Sequence, residues 1–155
     1  MKIDGKKLEG INTVRVILPR QDGDIILIAR GVPSYKGFEE VCPRPVPQMK
    51  TFPDGHKEAM IKDPSYEAAI STWAERKSTW LVLESLSATP GLEWETVDRN
   101  DPETWGNFNQ ELIDSGFSEF EVVRIIDGVM TANGLNQTVL DQAEKRFLAG
   151  QVAAQ

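Results

Sequence analysis

The 155 residues predict an α+β protein, with an N-terminal β-hairpin or small antiparallel sheet followed by a mainly helical C-terminal part. Two patterns carry that expectation. Residues 13–29 hold two strand-length apolar runs around a polar turn, and residues 101–148 hold start and stop signals for three helices. The length suits one domain by the usual range of roughly 100 to 200 residues, so 1–155 is read as a single domain. Its 40% hydrophobic content is enough for a real core. Within it, 1–40 is expected to be β-rich, 41–62 a Pro-rich connector and loop, and 63–150 helical with a short strand near 92–97.

In chain order, a short strand around Lys2 to Leu8 is turned by Asp4-Gly5, and Thr13 to Pro19 pairs with Ile25 to Ala29 across Gln21-Asp22-Gly23-Asp24. Val14, Val16 and Leu18 alternate with Arg15 and Ile17, which gives one buried face. The unbroken Ile25-Ile26-Leu27-Ile28 suggests burial on both sides or a covered face. Cys42-Pro43-Arg44-Pro45-Val46-Pro47 must be extended, because proline lacks the ladder donor and fixes its own backbone angle. It reads as a stiff connector into a polar loop from Gln48 to Lys62. Asp63-Pro64 opens a long helix to about Ser87, with Tyr66, Ile70, Trp73, Trp80 and Leu83 on one stripe. Leu81, Val82 and Leu86 widen its apolar surface, which implies burial on more than one side. Thr89-Pro90-Gly91 breaks this helix, and Leu92 to Val97 alternates as a short strand.

The next helix starts at Asp101-Pro102 and ends at Gly116. Ser118 and Glu121 then form a capping box, with Phe117 and Val122 as its hydrophobic staple. Asn133-Gly134 is a left-handed stop, Asn136 a new cap, and Gly150 a last stop after Phe147 and Leu148.

The net charge of −7 is concentrated. Between Glu93 and Asp127 ten carboxylates face only Arg99 and Arg124, whereas the first fifty residues carry nine Lys or Arg against six Asp or Glu. Binding nucleic acid needs cations to displace phosphate counterions, so direct contact with nucleic acid is not expected. A basic protein partner suits the charge better, unless these carboxylates simply solvate helix faces. No run approaches the roughly 20 apolar residues of a membrane span. Met1 to Lys7 has no apolar segment resembling a secretion signal, so a cytoplasmic protein is expected.

Catalytic chemistry is thin. His56, the one histidine, sits beside Gly55 and Lys57 and reads as solvated, since sequence spacing supplies it no partners for general-base work. Cys42 reads as a small buried hydrophobe, and one Cys with one His cannot complete a zinc set. There is no phosphate-cradling glycine loop and no dinucleotide fingerprint, and Asp22-Gly23-Asp24 lacks the later glutamate of a calcium loop. Glu93 and Glu95 fit an ordinary half-exposed strand better than a carboxylate pair. Catalytic, metal-binding and cofactor-binding residues are therefore all expected to be none. Trp73, Trp80, Trp94 and Trp105 read as core, and any of them that is exposed becomes a candidate interface anchor together with Phe120 and Phe147.

Several of these patterns recur in one order: Leu18-Pro19-Arg20 with Asp22-Gly23-Asp24, Cys42-Pro43-x-Pro45, Asp63-Pro64-x-Tyr66, Gly91-Leu92-Glu93-Trp94, Asp101-Pro102-x-Thr104-Trp105 and Gly116-Phe117-Ser118-x-x-Glu121. The set resembles small tailed-phage proteins described as tail assembly chaperones. The resemblance implies a non-enzymatic assembly factor in the host cytoplasm that coats hydrophobic segments of the tape measure protein until tail tube subunits displace it. It carries over no catalytic residue. A structural virion protein of head, neck or tail would share this composition, and an acidic inhibitor of a host defence or nucleic-acid enzyme could use Glu93 to Asp127 as a phosphate mimic. The amphipathic C-terminal helices could equally serve self-association into a homo-oligomer.

Overall fold

Two strands and two helices make the centre of the molecule in the computed structural model, which describes residues 1–8 and 10–153. Strands β3 (Thr13–Leu18) and β4 (Ile25–Arg30) pair antiparallel, with Thr13 opposite Arg30 and Leu18 opposite Ile25. They follow the strands β1 (Lys2–Ile3) and β2 (Lys6–Lys7), joined at Asp4 and Gly5, both with positive φ. The helices are α1 (Lys36–Val41), α2 (Pro64–Leu86), α3 (Phe108–Asp114), α4 (Glu119–Ala132) and α5 (Gln137–Ala153). Small antiparallel sheets therefore lie in the N-terminal half and most of the helix lies in the C-terminal half: the fold is α+β.

One face of the β3–β4 ribbon is dry. Val16, Leu18, Leu27 and Ala29 pack with Val82 and Leu86 of α2, Leu112 of α3, and Val122, Ile125, Val129 and Ala132 of α4. A second cluster gathers Phe38, Cys42, Trp80, Leu83, Val97 and Trp105. Helix α2 serves both clusters through its C-terminal half, which is why its apolar stripe is broad there. Phe38 is ringed by Trp73, Trp80 and Trp105 at centroid distances of 5.6, 6.0 and 6.1 Å. Such tilted aromatic contacts add to the area they bury.

The ribbon's edges are closed by side chains. Thr89 Oγ1 accepts from the Ile28 N–H at 2.8 Å and donates to the Ile28 carbonyl at 3.1 Å. Ser85 Oγ donates to the Arg30 carbonyl at 2.7 Å, and Asn133 Oδ1 accepts from the Val32 N–H at 2.7 Å. On the other strand Arg124 donates to the Ile17 carbonyl at 2.9 Å. Unsatisfied edge groups invite strand addition, and these contacts blunt that tendency.

Six expectations are corrected. The stretch 92–97 forms no strand, because the Glu111 carboxylate accepts from the Glu95 and Thr96 N–H groups at 2.6 and 2.9 Å in place of a partner strand. The N-terminal segment expected to be β-rich, residues 1–40, also contains most of α1, a six-residue helix that seats Phe38 in the second cluster. The loop in 41–62 contains a hairpin of β5 (Met49–Thr51) and β6 (Lys57–Ala59), too short and too polar to show alternation. The Ile25–Ile28 run is covered on one face only, leaving Ile26 and its neighbour Ile17 about half exposed. Gly150 does not stop the last helix, which continues through it to Ala153. The helix expected from Asp101 begins as a 3₁₀ turn, Pro102–Asn107, with Asp101 accepting from the Glu103 N–H at 3.1 Å, before α3 takes over.

Candidate interaction surface

Helix α4 has two apolar sides. Val122, Ile125, Val129 and Ala132, spaced three or four apart, face the ribbon. Phe120 and Val123 point the other way and are 84% and 67% exposed. Half-buried Ile126 and Met130 continue this outer side as a groove of about 390 Å³, bordered by Asn109 and Asp127. Ile126 also packs against the core, but an amphipathic helix needs only its inner stripe, so exposed Phe120 and Val123 are surplus to folding.

Helix α5 carries another exposed apolar stripe. Val139, Leu140, Ala143 and Phe147 fall on one stripe by helical spacing, yet no residue of α5 is buried, and Phe147 is 63% exposed. Its start is fixed. Gly134, at φ +68°, reverses the chain after α4, and the Leu135 N–H donates to the Met130 carbonyl at 2.9 Å. Asn136 Nδ2 donates to Asp127 Oδ1 at 2.8 Å and to Thr131 Oγ1 at 3.1 Å, while Asn136 Oδ1 accepts from the Val139 N–H at 3.3 Å.

The N-terminus of α4 is clamped to the ribbon. The expected capping box is present: Ser118 Oγ accepts from the Glu121 N–H at 3.2 Å, and Glu121 accepts from the Ser118 N–H at 2.9 Å. Phe117 and Val122, the expected staple, join the same core cluster. Glu121 also accepts from both Arg20 nitrogens, Nη2 at 2.9 Å. That charge-assisted pair, and then the Ser118 N–H, hold the Glu121 carboxyl at about 2, while Glu121 raises Arg20 further. Arg20 in turn lies 5.5 Å from the Phe117 ring centroid. The sequence names Glu121 through its cap but gives no sign of a partner 101 positions away.

The other singled-out residues are scattered. Trp80 and Trp105 are buried, so neither offers a surface, and Trp105 Nε1 donates to the Asp98 carbonyl at 3.0 Å. Trp73 and Trp94 are half-buried, and Trp73 Nε1 donates to the Cys42 carbonyl at 3.1 Å. Cys42 itself is a buried member of the second cluster. Of the six candidate binding residues, Phe120 and Phe147 alone are exposed large hydrophobics.

His56 does have carboxylate neighbours, contrary to its reading as partnerless. Asp54 meets Nδ1 and Glu58 lies 3.3 Å from Nε2, because the β5–β6 turn folds these alternate residues together, and the ring stacks on Phe52 at 4.4 Å. All of this is on an exposed hairpin.

A polar depression of about 420 Å³ lies between Glu95, Thr96, Asn107, Gln110, Glu111, Asp114 and Ser115. Burial alone would raise the Glu111 carboxyl, but hydrogen bonds from the Thr96 hydroxyl and from the Glu95 and Thr96 N–H groups leave it below its ordinary value. Glu111 thus serves as a cap for irregular chain, and Glu93 and Glu95 lie on no strand. Among the described residues no three His, Cys, Asp or Glu are placed to hold a metal ion, and no helix is long and apolar enough to cross a membrane. No family model matches the chain, and no match emerges among curated proteins or solved structures.

Proposed function

We propose that this protein is a non-enzymatic phage assembly factor that binds another phage protein, the tape measure protein, during tail assembly in the host cytoplasm. The observation that carries the reading is the outer side of α4 and the whole of α5, where Phe120, Val123, Leu140 and Phe147 stay exposed although the core is complete without them. An apolar stripe on a helix fits the stripe of another helix, which is how amphipathic segments are recognised. The tape measure protein, a long helical chain that aggregates when bare, is the partner the resemblance implies.

Use of the acidic segment as a phosphate mimic has less support. Asp98, Asp101, Glu111, Asp114, Glu121 and Asp127 accept hydrogen bonds within the chain, which ties down six of the ten carboxylates from Glu93 to Asp127.

The test is co-expression with tape measure fragments, joined to a pull-down from infected cells at low and high salt. Fragments should stay soluble and the contact should survive moderate salt, since apolar burial is not screened. Stoichiometric protein in purified virions would replace this reading with a structural role, and capture of a host nuclease at low salt alone would replace it with inhibition.

A further inference from the structure

A helix of 17 residues with no buried side chain is anomalous, because isolated helices of that length are marginal in water and draw most of their stability from packing one face. We infer that α5 of one copy of this chain lies on the outer side of α4 of a second copy, and reciprocally, so that the protein is a two-fold dimer held by exchanged C-terminal helices.

Shape favours this occupant. Helix α4 offers Phe120 and Val123 beside a groove floored by Ile126 and Met130, and α5 offers Leu140 and Phe147 over small Ala143.

The area is sufficient. A 17-residue helix is about 25 Å long and about 10 Å wide, and laying one face down removes on the order of 400 Å² from each surface. Two equivalent contacts total about 1,600 Å², the size of a standard stable interface, and a two-fold arrangement supplies the second contact without new chemistry. The tie from Asn136 to Asp127 and Thr131 keeps the start of α5 in place while its stripe stays off its own α4.

In this dimer the surface proposed for the tape measure protein is covered until that partner displaces the exchanged helices; the experiment uses the purified full chain alone, so its failure is separate from failure of the tape measure reading. Light scattering after size exclusion and sedimentation velocity should give a dimer at tens of micromolar. Phe147→Asp and Val123→Asp should each raise the dissociation constant by at least about tenfold, as loss of an interface anchor does. Both sites are exposed, so the near-ultraviolet dichroism of buried Trp80 and Trp105 should not change. Mixing the two variants should restore dimer, since one of the two contacts then joins a native α5 to a native α4. A monomeric wild-type chain, a Val123→Asp dimer as tight as wild type, or a mixture without heterodimer would each overturn the inference.

Discussion

Replacing Gly128 even by alanine should destabilise the fold, although this glycine stands inside a helix where alanine is intrinsically better. Helix α4 crosses β3 so closely that a Cβ on Gly128 would meet Cγ2 of Val16, a buried residue. Valine is stiff about χ1 and cannot swing that methyl aside, so the helix or the strand must move. Exchanging Gly for Ala in a helix gains about 1 kcal/mol, and overpacking a core costs about 1–3 kcal/mol. Gly128→Ala should therefore destabilise by about 1 kcal/mol, the difference of those two terms. Val16→Ala by itself should cost about 2 kcal/mol in lost burial. In the double variant the new methyl occupies vacated space and the helix gain is realised, so the loss should be about 1 kcal/mol against an additive expectation of about 3 kcal/mol. Urea unfolding followed by tryptophan fluorescence measures all four corners of this cycle. Additive losses, or a Gly128→Ala variant more stable than wild type, would show that α4 and β3 do not approach this closely.

Ser118→Ala should cost about 1 kcal/mol through loss of the cap, and Gly134→Val should cost more, because it forces a β-branched residue to φ +68°; unchanged melting temperatures would remove both helix boundaries. Thr89→Val keeps the shape but strands the N–H and carbonyl of Ile28, so a loss of about 1–3 kcal/mol is expected in thermal unfolding. Glu121 titrates at about 2 in the folded chain against an ordinary 4.5, so its contribution is complete above about pH 4.5 and is lost as pH falls towards 2. Arg20→Met should accordingly destabilise at neutral pH and converge on wild type near pH 2; a difference constant with pH would refute the clamp.

How much of this was legible depended on the range of the physics involved. The β3–β4 hairpin, the capping box at Ser118, the Asn133-Gly134 stop and the start of α2 were all readable, because alternation, caps and left-handed turns are written within a few consecutive residues. So was the place of Cys42 in the core, since a lone thiol between Val41 and Pro43 has the character of a small hydrophobe. The strand expected at 92–97 failed because alternation describes a strand's faces but not whether a neighbour exists, and Glu111 takes the donors first. The β5–β6 hairpin was missed for the converse reason, a ladder of three pairs leaving too little pattern to detect. The partners His56 gained came from that hairpin. Candidate surface residues divided on tertiary grounds alone: Trp80, Trp105, Phe120 and Phe147 are all large apolar side chains in helical segments, and only the packing of α2, α4 and the ribbon decided that the tryptophans are enclosed and the phenylalanines are not. The sequence by itself determined where the longer helices and the central hairpin would form and where most of them would stop. The tertiary structure decided which apolar face each one spends on the core, because burial depends on neighbours distant in the chain, as Arg20 is from Glu121, 101 positions away.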